Sequence, residues 1–212
     1  MRTDFQRQLA SPKSFQDDGF ECWGTIWLRT CYDESTDEAH QRLLDELNYD
    51  LALEVYENIL DDVEHYNYTD DWRRIFEVVP ERLLEETQDN ADMRQKPEQH
   101  EAYIQEAKRK VNINDVDDID ALRKATTQFH LRAACRYLLI ADKVALDSGK
   151  VLAVFFDDYG RTVRQSRVPP EFCEELAGAW FDGLLGEVDA FIDAEVGPDY
   201  LPGGPCGPPY AT

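Results

Sequence analysis

Two apolar runs, CRYLLIAD from Cys135 to Asp142 and VLAVFFDD from Val151 to Asp158, are separated only by KVALDSGK. Each is short, apolar and bounded by polar residues, the pattern of a strand buried on both faces. The connecting residues include Ser148-Gly149. They predict an antiparallel pair joined through a helical turn. Asp157-Asp158-Tyr159-Gly160 then closes the second run in a turn.

A third strand is written in a different period. Phe20, Cys22, Gly24, Ile26, Leu28 and Thr30 alternate with Glu21, Trp23, Thr25, Trp27, Arg29 and Cys31. Alternation over this length, rich in aromatic and β-branched residues, argues for a strand. Gly24 marks a bulge or a close backbone approach.

The remaining segments read as helices. Ser35-Thr36-Asp37-Glu38 has the form of a capping box, with Ser35 and Glu38 satisfying each other's backbone N–H groups. Leu44, Leu47, Leu51, Val55, Ile59 and Val63 follow at helical spacing, which predicts one long amphipathic helix over 36–65. Further helices are predicted over 69–86, kinked or split at Pro80, over 98–110, from Asp117 or Asp118 to Ala133, and from Pro169-Pro170 to about Ala194.

Strand, helices, two strands and a helix make an α+β pattern. The expected architecture is a small, mainly antiparallel sheet, a ferredoxin-like derivative, covered by several helices. Residues 1–18 read as a flexible N-terminal segment and 19–196 as a single α+β domain. Residues 197–212 (GPDYLPGGPCGPPYAT) read as an irregular Pro/Gly-rich tail.

Charge narrows the function classes. The 44 acidic and 22 basic residues give a net charge of −22, which repels phosphate backbones and anionic membranes. Neither nucleic acid nor membrane is an expected partner. The excess is concentrated: segment 33–72 carries −13 and 169–212 carries −9, whereas 131–168 is net +3. Acidic faces of this kind suit a basic partner protein. No apolar run is long enough for a signal peptide or a membrane span, so the expected location is cytoplasmic or nuclear. The five cysteines are odd in number and lack a C-x-x-C, so they read as reduced thiols.

The stretch Gly19-Phe20, Arg29-Thr30, Tyr32 and Ser35 to Glu38, with Arg136-Tyr137-LLIAD and VLAVFFD later, resembles a group of uncharacterised α+β proteins of filamentous fungi. The resemblance covers about two-thirds of the chain. It implies a fungal origin and a shared α+β fold, and it implies no activity.

Motifs of common chemistry are missing from the sequence. There is no G-x-G-x-x-G, no P-loop and no G-x-S-x-G, which leaves no cofactor implied. Asp37-x-x-His40 and Asp62-x-x-His65 each pair a carboxylate with an imidazole. On one helix they lie about 37 Å apart, too far to share a metal. Asp157-Asp158 reads as a strand-end turn, and His130 as a cap or core histidine; no metal site is expected.

One face remains of interest. Trp23, Trp27 and Arg29 share a side of the first strand, with Tyr32 beyond it. They are either half of a core or an aromatic wall with an anion anchor, assisted by Arg132 and Arg136 from the basic segment. Two functions follow. The first is an acidic interaction protein that binds a basic partner through acidic helix faces. The second is a small-molecule-binding protein, or a cofactor-free isomerase or cyclase, built on the aromatic/Arg face.

Overall fold

The computed structural model describes residues 25–33, 35–47, 55, 58–69, 71–75, 116–134, 136–157 and 160–207. Trp23, Gly24 and the helix expected over 98–110 lie outside them, as does all but the start of the one expected over 69–86. The described chain is α+β, with several helices and one six-stranded mixed sheet of order β2-β1-β3-β4-β5-β6. The strands are β1 (Trp27–Arg29), β2 (Ile59–Leu60), β3 (Arg136–Ala141), β4 (Val151–Phe156), β5 (Thr162–Val168) and β6 (Glu195–Val196).

The chain packs as two compact units. The first comprises Met1–Glu85, Tyr137–Ala153 and Arg167–Gly178; the second comprises Glu86–Arg136, Val154–Ser166 and Ala179–Thr212.

In the first unit β1 lies between β2 and β3 and is parallel to both, with Leu28 opposite Leu60 on one side and Ile140 on the other. A mainly antiparallel sheet was expected; the sheet is mixed, with parallel pairs on both sides of β1 and an antiparallel pair at β5 and β6. The long chain between β1 and β3 permits a crossover, and a crossover delivers a parallel partner. A central parallel strand is covered on both faces, so Trp27, Leu28 and Arg29 are all buried despite their alternating directions.

The helix expected over 36–65 is interrupted. Helix α1 (Asp37–Asp45) turns His40, Leu43 and Leu44 inward; Ile59–Leu60 is then strand, and α2 (Val63–Tyr66) is a single turn. Two residues of strand hide easily in a run spaced at three and four. The capping box is also absent. Thr36 is the N-cap of α1 and makes no side-chain cap bond, because its hydroxyl is engaged by Arg29 and donates to the Asp33 carbonyl. The helical turn expected after β3 is present as α4 (Lys143–Ser148), reached after the longer α3 (Val116–Ala133). Asp142 caps α4 by accepting from the Ala145 N–H, Gly149 ends it at φ +74°, and α4 packs against α1.

In the second unit α3 ends in a buried His130. Strand β5 was not expected. TVRQSRV pairs antiparallel with β6, Arg164 opposite Val196 and Gln165 opposite Glu195. The helix expected from Pro170 to Ala194 is instead α5 (Cys173–Phe181), ended where Gly183 takes φ +72°, followed by the short α6 (Asp189–Ile192). The 197–207 part of the expected irregular tail is folded. Gly197 donates to the Val163 carbonyl, and the buried Tyr200 hydroxyl donates to Asp157 Oδ2 at 2.8 Å. Phe155 packs edge-on to Phe191 at 4.9 Å and beside Trp180.

Candidate functional site

Arg29 is the last residue of β1 and almost wholly buried. Its Nε donates to the Cys31 carbonyl at 3.0 Å. Its Nη2 donates to the Thr36 hydroxyl at 3.0 Å and to Asp37 Oδ1 at 2.6 Å. The Tyr32 ring lies 4.5 Å from the guanidinium carbon, and the Tyr32 hydroxyl donates back to the Arg29 carbonyl. Arg29 is thus neutralised from within its own unit and fixes the turn from β1 into α1.

Trp27 has no exposed surface, and its indole N–H donates to His40 Nε2 at 2.9 Å. That bond requires His40 to be neutral with its proton on Nδ1. Burial pushes the His40 pKa down to about 4, helped by repulsion from Arg29 and opposed by Asp37. Trp27 is therefore a core side chain rather than an open aromatic wall. Arg132, in the last turn of α3, and Arg136, which opens β3, belong to the second unit, whereas Trp27, Arg29 and Tyr32 belong to the first.

The basic segment is not an open positive island. Lys143 pairs with Asp147, Arg161 with Asp157, and Arg167 makes two bonds to Asp142 at 2.6 and 2.5 Å. Arg164 is buried; it donates to His130 Nδ1 at 3.0 Å and to the Phe191 and Ile192 carbonyls. Burial and the Arg164 charge push His130 down to about 3, against a smaller opposing effect of the Tyr200 backbone. His130 is a neutral core acceptor.

The carboxyl ends of the three parallel strands form the other notable locus. Chain order sends β1 to β2 on one side, while β3 and its successor lie on the other. The carboxyl end of such a fork is where open sheets place ligands. Here each strand runs into aspartate: Cys31-Tyr32-Asp33 after β1, Asp61-Asp62 after β2, and Asp142 after β3. Asp62 and Asp142 accept backbone N–H groups of the helices that follow them. Asp61 lies close enough to Tyr32 to help raise its hydroxyl pKa, after burial, and Asp33 contributes to raising that of Lys143, after Asp147. Thr69, at φ +56°, donates its N–H to the Thr30 carbonyl and closes the end of β1. A β-branched residue in that region is strained.

No protein-family model, curated protein or solved structure matches this chain.

The break in the 36–65 helix removes the argument that separated Asp37/His40 from Asp62/His65. The residues are nonetheless engaged elsewhere: Asp37 with Arg29, His40 with Trp27, and Asp62 with His65 at 3.1 Å. Among the described residues no three His, Cys, Asp or Glu side chains cluster to hold a metal. Asp157 is buried and bound by the Arg161 backbone and side chain as well as by Tyr200. Sequence reasoning passed over Asp33, Asp61 and Asp142. The signal was there, in an aspartate closing each apolar strand, but it points to a common edge only once the strands are known to be parallel.

Proposed function

We propose that this chain is an acidic docking protein that binds a basic partner. What carries the reading is the balance of charge at the surface: several arginines are engaged inside each unit, and among the described residues exposed carboxylates outnumber exposed cations. In the first unit Arg29 and Arg167 are held by Asp37 and Asp142; in the second Arg164 is buried and Arg161 is held by Asp157. Glu38, Glu46, Glu174, Glu175, Asp182 and Glu195 are exposed. With a net charge of −22, such a surface accelerates and selects encounters with positive partners.

The alternative, a small-molecule site anchored on Arg29, has less support. A guanidinium already paired with a carboxylate offers little to an anion, and Trp27 has no exposed surface. Fungal origin remains part of the proposal and bears on no activity.

The test is affinity capture from the native host at low salt, followed by titration calorimetry with each captured protein at rising ionic strength. Partners rich in Lys and Arg, whose binding weakens steeply with salt, are expected. Partners of neutral or acidic surface, or affinities insensitive to salt, would overturn the reading.

A further inference from the structure

We infer that the basic partner docks at the carboxyl edge of β2-β1-β3, with a lysine or arginine side chain seated between Asp33 and Asp61. The inference rests on the docking function proposed above and adds its location.

Three independent observations meet at this edge. The first is topological: β1 is the fork of a parallel set, and its carboxyl end lies where the connections diverge. The second concerns charge. Helix starts at such an edge ordinarily attract anions. Here the start of α1 carries Asp37 and Glu38, and Asp62 and Asp142 cap α2 and α4. An anionic ligand meets carboxylates at all three. Among the described residues, three cations of the edge are paired, Arg29 by Asp37, Lys143 by Asp147 and Arg167 by Asp142. Asp33 and Asp61 are exposed and, among the described residues, form no ion pair. Among the described residues, the Asp33 carboxylate accepts only the weak Cys31 thiol, at 3.8 Å.

The third observation is apolar. Val63 and Val144 are 51% and 53% exposed, among the most open large hydrophobic side chains described. Both stand in the first turns of the helices that leave this edge, directly after Asp61-Asp62 and after Asp142-Lys143. Exposed valines beside unpaired carboxylates fit a surface that receives an aliphatic and cationic segment, since apolar contact and charge complementarity then act together. Half-buried Tyr32 lies near Asp61. The open placement of Asp33 and Asp61 suits a cation presented by a large partner, whose own surface excludes water as it docks.

The test uses the full chain and a short synthetic peptide alternating arginine with leucine. Two double variants remove the same charge, D33N/D61N at the edge and E174Q/E175Q on α5. The edge variant is expected to lose about tenfold in affinity and to flatten the salt dependence, whereas the α5 variant changes by less than about twofold. V144S is expected to weaken binding with the salt dependence unchanged. Melting curves check folding, and D61N alone serves if the double variant is unstable. Equal losses in both double variants would overturn the location while leaving the docking function standing. Absence of salt-sensitive binding by the wild-type chain would overturn both.

Discussion

Arg29 organises the end of β1 largely through one nitrogen, because Nη2 reaches both Thr36 and Asp37 while Nε holds the Cys31 carbonyl. The Thr36 hydroxyl is the hinge of this arrangement, accepting from Arg29 and donating to the Asp33 carbonyl at 2.7 Å. Thr36→Ala therefore leaves a buried guanidinium N–H without its hydroxyl partner, while the Asp33 carbonyl keeps the backbone N–H of residue 36. The expected cost is about 1–2 kcal/mol, read by urea denaturation. Ser35→Ala, which would break the capping box suggested by the sequence, is expected to stay within about 0.5 kcal/mol because Ser35 is exposed. A larger cost for Ser35→Ala than for Thr36→Ala would show that Ser35, not Thr36, starts the helix.

The two buried histidines make a second prediction at this scale. His40 and His130 are held neutral, their pKa values pushed by burial from 6.5 to about 4 and about 3. The unfolded chain takes up their protons near pH 6.5, and the folded chain does so only well below that. Their contribution is therefore fully present above pH 6.5 and is lost as pH falls toward 4. Within that window each adds a slope of about 1.4 kcal/mol per pH unit. Denaturation at pH 7, 5.5 and 4.5 should show a smaller loss in H40Q and in H130Q than in the wild type. Variants that lose as much as the wild type would mean that both rings are already charged in the fold.

Among the elements, β3, β4 and α3 were legible because their signals are local: two short apolar runs, and a repeat of Ile119, Leu122, Thr126, Phe129 and Ala133. β2 was not, since Ile59 continues the helical spacing of Leu51 and Val55. Its strand character comes only from pairing with Trp27 and Leu28. β5 was hidden because Arg164, Gln165 and Arg167 look solvent-facing, although Arg164 is buried by the carbonyls at the end of α6. The candidate edge was illegible for a related reason, because a parallel register between distant segments leaves no trace in either one.

The 197–207 segment shows how little composition says once a few contacts fix a chain. A Cβ on Gly197 would lie 1.9 Å from the Thr162 carbonyl oxygen, so only glycine permits the close approach that follows β6. Gly197→Ala is expected to free this segment and cost at least about 2 kcal/mol. Hydrogen exchange would report it as lost protection of the residue-197 amide, which now bonds the Val163 carbonyl. Tyr200→Phe removes one donor to Asp157, which keeps its Arg161 bonds, and should cost only about 1 kcal/mol. A larger loss in Y200F than in G197A would place the anchor at the tyrosine rather than at the glycine.

For the whole molecule, the internal use of arginine has two consequences of opposite sign. Exposed carboxylates repel one another across the surface, and a net charge of −22 disfavours the compact state. Raising salt from about 0.01 to 0.15 M shortens the Debye length from about 30 to about 8 Å, which screens most of that repulsion. Ion pairs with a buried partner, such as Asp157 with Arg161, and short pairs, such as Asp142 with Arg167, lie within that length and are screened far less. The melting temperature is therefore expected to rise by several degrees over this range, about 2–4 °C for each kcal/mol relieved. The same screening weakens attraction to a basic partner, so stability and affinity should move in opposite directions along one salt titration. D33N/D61N separates the two: with two fewer repelling charges it should melt at or above the wild-type temperature in low salt while binding the basic peptide less well. A melting temperature that falls as salt rises would mean that the exposed pairs, Arg123 with Asp193 and Lys143 with Asp147, outweigh the repulsion, and that the charge of this protein serves its fold more than its encounters.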